Sequence, residues 1–134
     1  MKFLFALTAL LAAASAQAGA LDECFHSTKT RVEVGACLEA AKVQALAQER
    51  LAARALEASL AELQKISSAK GLVAALRSAE RHFDPYMKAQ CQLVSATYAS
   101  GNGAAQTALA CEIDLLRART AELKQMTPAR PAKN

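Results

Sequence analysis

Apolar residues recur at helical spacing over three stretches of the chain. In the first, Leu38, Leu46, Ala53, Leu56, Leu60 and Leu63 fall on one stripe. Lys42 and Glu49 interrupt it, while Arg50, Arg54 and Glu57 fit a solvated face. Leu51 and Ile66 lie opposite, either as scattered surface residues or as part of a partner-binding face. The Thr30-x-x-Glu33 spacing is that of a capping box and predicts a helix start at Thr30. No proline follows before Ser67, and Gly35 marks a kink or a break. Ser67 to Gly71 reads as a turn. A second stripe follows, with Leu72, Leu76, Ala79, Phe83, Met87, Val94 and Tyr98, and with Tyr86 and Cys91 beside it. Pro85 either kinks this helix or opens a new segment capped by Asp84. Ser100-Gly101-Asn102-Gly103 is the clearest turn. A third helix is predicted from about Ala104 to Gln125, with Leu109, Ile113, Leu116 and Leu123 on one face and Ala108, Cys111 and Leu115 on another. The pattern predicts an all-α fold: a small antiparallel three-helix bundle preceded by a short N-terminal helical segment.

The first residues read differently. Met1-Lys2, the apolar run Phe3 to Ala14 and the small-x-small triplet Ala16-Gln17-Ala18 form a secretory leader, with cleavage expected after Ala18. The run is too short to span ~30 Å of hydrocarbon and no stop-transfer charges follow, so no membrane span is expected. Cys24 follows Asp22-Glu23, which is not a lipid-attachment context. The expected divisions are a signal peptide over 1–18, a helical domain over 19–126 and a flexible tail over 127–134, in a periplasmic or secreted protein.

Composition supports one helical domain. Alanine supplies 33 of the 134 residues and aromatics only 4%, while β-branched residues are sparse, so an all-β sandwich or barrel is excluded. The formal charge of +4 is dispersed and gives no nucleic-acid footprint.

Export gives the four cysteines a disulfide reading. Cys91 and Cys111 each lie ten residues from Gly101, so in an antiparallel hairpin they face each other. Cys24 and Cys37 are then left to pair, although spacing alone leaves the crossed connectivity open. Neither pair is a C-x-x-C. Zinc held by Cys24, His26 and His82 is disfavoured, because structural zinc ligands cluster two to four residues apart.

Catalytic signatures are missing. The chain carries no Gly-x-Ser-x-Gly, Walker loop, His-Glu-x-x-His or Gly-x-Gly-x-x-Gly. His26 and His82 have no triad partner. Glu112 and Asp114 lie about 200° apart on a helix and cannot share a substrate. Neither enzymatic activity nor a cofactor or metal is expected.

Thr30-x-x-Glu33-x-x-x-Cys37 resembles the opening motif of the LprI-like family (lysozyme inhibitor LprI N-terminal domain). The second helix is similar to that family's Leu-x-x-Ala-Gln-Arg-x-Trp pattern followed by Tyr-Arg-Asp and Cys; here it reads Leu76, Ala79, Glu80, Arg81, Phe83, Tyr86, Met87, Lys88 and Cys91. Cys111, Arg119 and Leu123 resemble its closing pattern. The resemblance spans nearly the whole chain after residue 18. Phe83 stands for the family's Trp, Glu80 for its Gln and Met87-Lys88 for its Arg-Asp. The usual Leu-Asn and Tyr of the first long helix have no counterpart after Cys37. The resemblance implies a disulfide-stapled helical domain with a protein partner, in some members a lysozyme-type muramidase that it inhibits.

Two functions therefore compete. One is steric occlusion of a cell-wall hydrolase. The other is an accessory role, binding an envelope component or a cognate secreted toxin. They differ over whether Asp22, Glu23, Glu33, Glu39, Glu112 and Asp114 assemble an acidic patch, which would steer a basic lysozyme.

Overall fold

The computed structural model describes residues 19–98, 101 and 103–128. The leader, residues 129–134 of the tail, and Ser100 and Asn102 of the second turn lie outside the described residues. Four helices form: α1 (Ala20–Ser27), α2 (Arg31–Ile66), α3 (Leu72–Ala96) and α4 (Ala104–Met126). Among the described residues there is no strand, and no helix is long and apolar enough to cross a membrane.

The capping box sets the start of α2. Thr30 Oγ1 accepts from the Glu33 N–H at 3.2 Å, and Glu33 Oε2 accepts from the N–H groups of Thr30 and Lys29, both at 2.9 Å. The backbone bond from Lys29, then that from Thr30, holds the Glu33 carboxyl below its ordinary pKa. At the other end Ser67 donates its N–H (3.0 Å) and its hydroxyl (2.7 Å) to the Leu63 carbonyl. Gly71 has φ 73°, the left-handed backbone that turns the chain into α3. Gln64 Oε1 then accepts from the Val73 N–H at 3.1 Å, supplying a cap from the neighbouring helix. Gly35 does not break α2, which runs on through it.

Pro85 sits inside α3, so there is no new segment. Asp84 does not cap; it accepts from Lys88 Nζ at 2.7 Å. Pro85 lies on the exposed side, where water can serve the carbonyl that its missing N–H leaves unpaired.

The three long helices run up, down and up. α2 and α4, the parallel pair, make the most extensive contact. Gln106 Nε2 donates to the Arg31 carbonyl at 2.8 Å near their starts, and Lys42 pairs with Glu112 further along. α1 packs against the start of α2 through Cys24–Cys37 and against the middle of α4 around Asp114 and Arg117.

The buried row of α2 is Val34, Leu38, Ala45, Glu49, Ala52 and Leu56. It follows the 3.5-residue rhythm of a helix seam, rotated from the predicted stripe. Leu46, Ala53 and Leu60 only flank it, and Leu63 is 41% exposed. α4 fixes this face, because the small Ala45 and Ala52 admit a close neighbour where leucines would not. On α3, Leu76, Met87 and Cys91 are buried as the pattern predicts, but Ala79 and Tyr98 are exposed; Tyr98 lies beyond the helix end. On α4 the predicted core of Ile113, Leu116 and Leu123 is joined by Thr107 and Thr120. Their hydroxyls donate to the Gly103 and Leu116 carbonyls, each at 2.8 Å, and so tolerate burial.

Disulfides join Cys24 to Cys37 (Cα–Cα 5.7 Å) and Cys91 to Cys111 (5.5 Å), the pairing that the hairpin geometry predicts; the crossed connectivity does not occur. No thiol is left free. Closing loops of this length contributes roughly 3 kcal/mol each through lost unfolded-chain entropy. Both bridges lie in the same half of the bundle. Cys24 and Cys91 pack there with Ala20, Val34, Leu38, Ala45, Met87, Ala110, Ile113 and Leu116. A second, smaller core of Ala52, Leu56, Leu76 and Leu123 occupies the other half.

Candidate functional site

Residues singled out by the family resemblance, Glu80, Phe83 and Arg119, meet in a polar layer between the two cores. Arg119 of α4 donates through Nη2 and Nε to Glu80 Oε1 of α3, at 2.6 and 3.2 Å, and through Nη1 to Glu122 at 3.3 Å. Its guanidinium carbon lies 5.7 Å from the centre of the Phe83 ring, within cation–π range. Burial opposes the guanidinium charge, but Glu80 and then Glu122 outweigh it and hold the pKa above the ordinary value. From α2, Glu49 enters the same layer. It is 7% exposed, and its Oε1 has no hydrogen-bond partner. Burial pushes its carboxyl up to about 7; hydrogen bonding to Glu80 and the Glu80 charge act in the same direction, against Arg119 and Arg50. Glu49 gave no signal as a core residue, because its position looks like an interruption of the apolar stripe. With Arg119 only 14% exposed, this layer fixes three helices and offers little to a partner.

The remaining motif residues divide into two groups. Thr30 and Glu33 cap α2, and Leu76 and Leu123 fill the second core. Ala79, Arg81 and Tyr86 stay exposed on the outside of α3. Ala75, Ala79, His82, Tyr86, Ala89 and Leu93 share one strip about 80° wide on that helix. All six are exposed, with Tyr86 at 55% and Leu93 at 62%, and none carries a formal charge when His82 is neutral. The strip is a convex ridge, and among the described residues no other helix packs over it. Cys91 and Phe83, on the inner side of α3, anchor the ridge to the body of the bundle.

The acidic candidates divide between two places, Glu23 and Asp114 beside the start of α1 and Glu39 and Glu112 along the α2–α4 groove, and most of them already hold a partner. Glu23 is held by Arg117 at 2.8 and 3.0 Å. Glu112 is paired with Lys42, Glu33 is used in the cap, and Asp114 accepts from the Ala20 N–H at 2.9 Å. Only Asp22 and Glu39 lack a partner of this kind among the described residues. A groove of about 620 Å³ between α2 and α4 is lined by Val32, Ala36 and Leu109 together with Glu39, Lys42 and Glu112.

Nδ1 of His26 donates to the Asp22 carbonyl and Nδ1 of His82 to the Ser78 carbonyl, each at 2.7 Å, so both rings are tied to their own helix. Among the described residues no cluster of His, Cys, Asp or Glu could hold a metal ion.

A family model described as lysozyme inhibitor LprI matches residues 22–123. No curated protein and no solved structure matches the chain.

Proposed function

Since this chain belongs to the lysozyme inhibitor LprI family, we propose that it binds a muramidase and blocks its substrate cleft with the outer ridge of α3. The observation that carries this reading is the uncharged strip around Tyr86 and Leu93, exposed on a helix that Cys91–Cys111 ties to α4. Enzyme clefts are concave, and a stapled convex ridge can enter one with little ordering cost. Tyr86 is the natural anchor, since tyrosines at the centre of an interface often carry much of its binding energy. The protein itself performs no reaction in this scheme. The two disulfides support an extracytoplasmic location, and removal of the leader after Ala18 would deliver the chain there.

The test is inhibition of cell-wall hydrolysis by a panel of muramidases, with oxidised protein beginning at Gly19. Tyr86→Ala should weaken inhibition at least tenfold while moving the unfolding midpoint by less than a degree or two, because the side chain is mostly exposed. Loss of no muramidase activity in molar excess of inhibitor would refute the reading.

A second reading, contact with an anionic envelope polymer, draws support from the charge inventory. Glu23 and Glu112 are paired with Arg117 and Lys42, whereas Arg50, Arg54, Arg81 and Lys124 lack an ion-pair partner among the described residues. Binding to purified cell-wall polymer that falls steeply between low and moderate salt would favour it.

A further inference from the structure

Gly19, which precedes α1, lies directly against α4. A Cβ placed on it would fall 2.9 Å from Asp114 Oδ2, so a side chain there would have to displace the carboxylate. The next residue, Ala20, is completely buried, and its N–H donates to Asp114 Oδ1 at 2.9 Å. Asp114 is thus drawn up to the first turn of α1 by one oxygen, while its other oxygen faces the Gly19 backbone. The triplet Ala16-Gln17-Ala18 independently puts the expected cleavage point at the bond before this glycine.

We infer that cleavage between Ala18 and Gly19 creates an α-ammonium group that pairs with the Asp114 carboxylate and locks α1 onto α4. The step is hydrolysis by a leader peptidase. Water adds across the Ala18–Gly19 amide, the C–N bond breaks, and the fragments leave with a carboxylate on Ala18 and an ammonium on Gly19. Before cleavage the Gly19 nitrogen is a neutral amide. Afterwards it is an ammonium bonded to the α-carbon whose surroundings already include Oδ2, and glycine allows the rotation that aims the amine at that oxygen.

The neighbouring charges are consistent with this role. A cation at a helix N-terminus is disfavoured by the helix dipole. Here Asp114, with Asp22 and Glu23 in the first turn of α1, supplies the compensating negative charge. Arg117 is the opposing cation. It is engaged at 2.8 Å with Glu23 and stands 4.0 Å from Asp114, leaving Oδ2 free of it. The contact is half-exposed, so it acts as a latch on α1 and not as a main source of stability.

The test begins with the protein exported under its own leader and purified in oxidised form. Mass spectrometry should give a chain starting at Gly19. NMR titration of the ¹⁵N-labelled α-amine should give a pKa at least half a unit above the ordinary value of about 7.7–8.0. Asp114→Asn keeps an acceptor for the Ala20 N–H but removes the charge, and should return the amine to the ordinary range. A chain retaining Ala18 provides the second comparison: it should melt lower than the Gly19 form, and Asp114→Asn should abolish that difference. A different mature terminus, an amine with an ordinary pKa, or a titration unmoved by Asp114→Asn would each overturn the inference. None of these results bears on muramidase binding by α3.

Discussion

Around Cys24–Cys37 and Cys91–Cys111 ten buried residues pack from all four helices, whereas beyond Glu49 only Ala52, Leu56, Leu76 and Leu123 are buried together. The first half is held by covalent bridges and a compact core. The second relies on one leucine cluster, the Gln64 cap on α3 and the exposed Arg77–Glu57 pair at 2.5 Å. The α3 ridge spans both halves, and its Leu93 end lies beside the Cys91 bridge. Rigidity is therefore concentrated in one half of the bundle, and the other half is where local opening should begin.

The strongest way to break this contrast is to remove both bridges. Replacing all four cysteines by serine, or full reduction, should lower the unfolding free energy by roughly 3 kcal/mol per bridge in a guanidinium titration. Unchanged stability would mean that the clamped half owes nothing to its clamps. Next in size, Leu123→Ala should cost about 3 kcal/mol, because the side chain is fully buried and its core is too small to collapse around the cavity. Hydrogen exchange should then accelerate in 56–66 and 72–80 while the amides around Cys91 and Ile113 stay protected.

Glu49, at the border, sharpens the comparison through pH. The folded protein holds the Glu49 proton up to about pH 7, against an ordinary value of 4.5. The folded state therefore binds more protons than the unfolded state across that window. The contribution is fully present below about pH 4.5 and is lost as pH rises through 7. Glu49→Gln should remove this decline. Relative to the parent at the same pH, it should be more stable by on the order of 2 kcal/mol at pH 8 and nearly neutral near pH 4.5, as read from melts across the range. The smallest effect is expected from Arg77→Ala, at about 0–1 kcal/mol, since an exposed ion pair contributes little.

The parts legible in the sequence are those fixed by local chemistry. The Thr30–Glu33 box names the residue where α2 starts, and equal distances from Gly101 identify the Cys91–Cys111 bridge. The face of α2 was not legible. Leucines dominate the periodic signal, but the seam with α4 selects Ala45 and Ala52, whose small size admits a neighbour and leaves little trace in a hydrophobic pattern. Glu49 escaped for a related reason: a carboxyl reads as surface until Glu80 and Arg119, from two other helices, are placed beside it. Periodicity put Ala79 on the apolar stripe of α3 and Tyr86 beside it, and the resemblance singled out both, but neither could say that they would face outward. The fate of the acidic residues was equally hidden, because their partners Arg117 and Lys42 lie far away along the chain.

The alanine seam between α2 and α4 also governs the thermal response. Ala20, Ala45, Ala52 and Ala110 are buried, yet each withdraws little apolar surface from water. Unfolding should therefore expose less hydrocarbon per residue than a leucine-packed bundle of equal length, giving a small heat-capacity increment. A small increment flattens the stability curve, so the domain's stability margin should change little between about 5 and 40 °C.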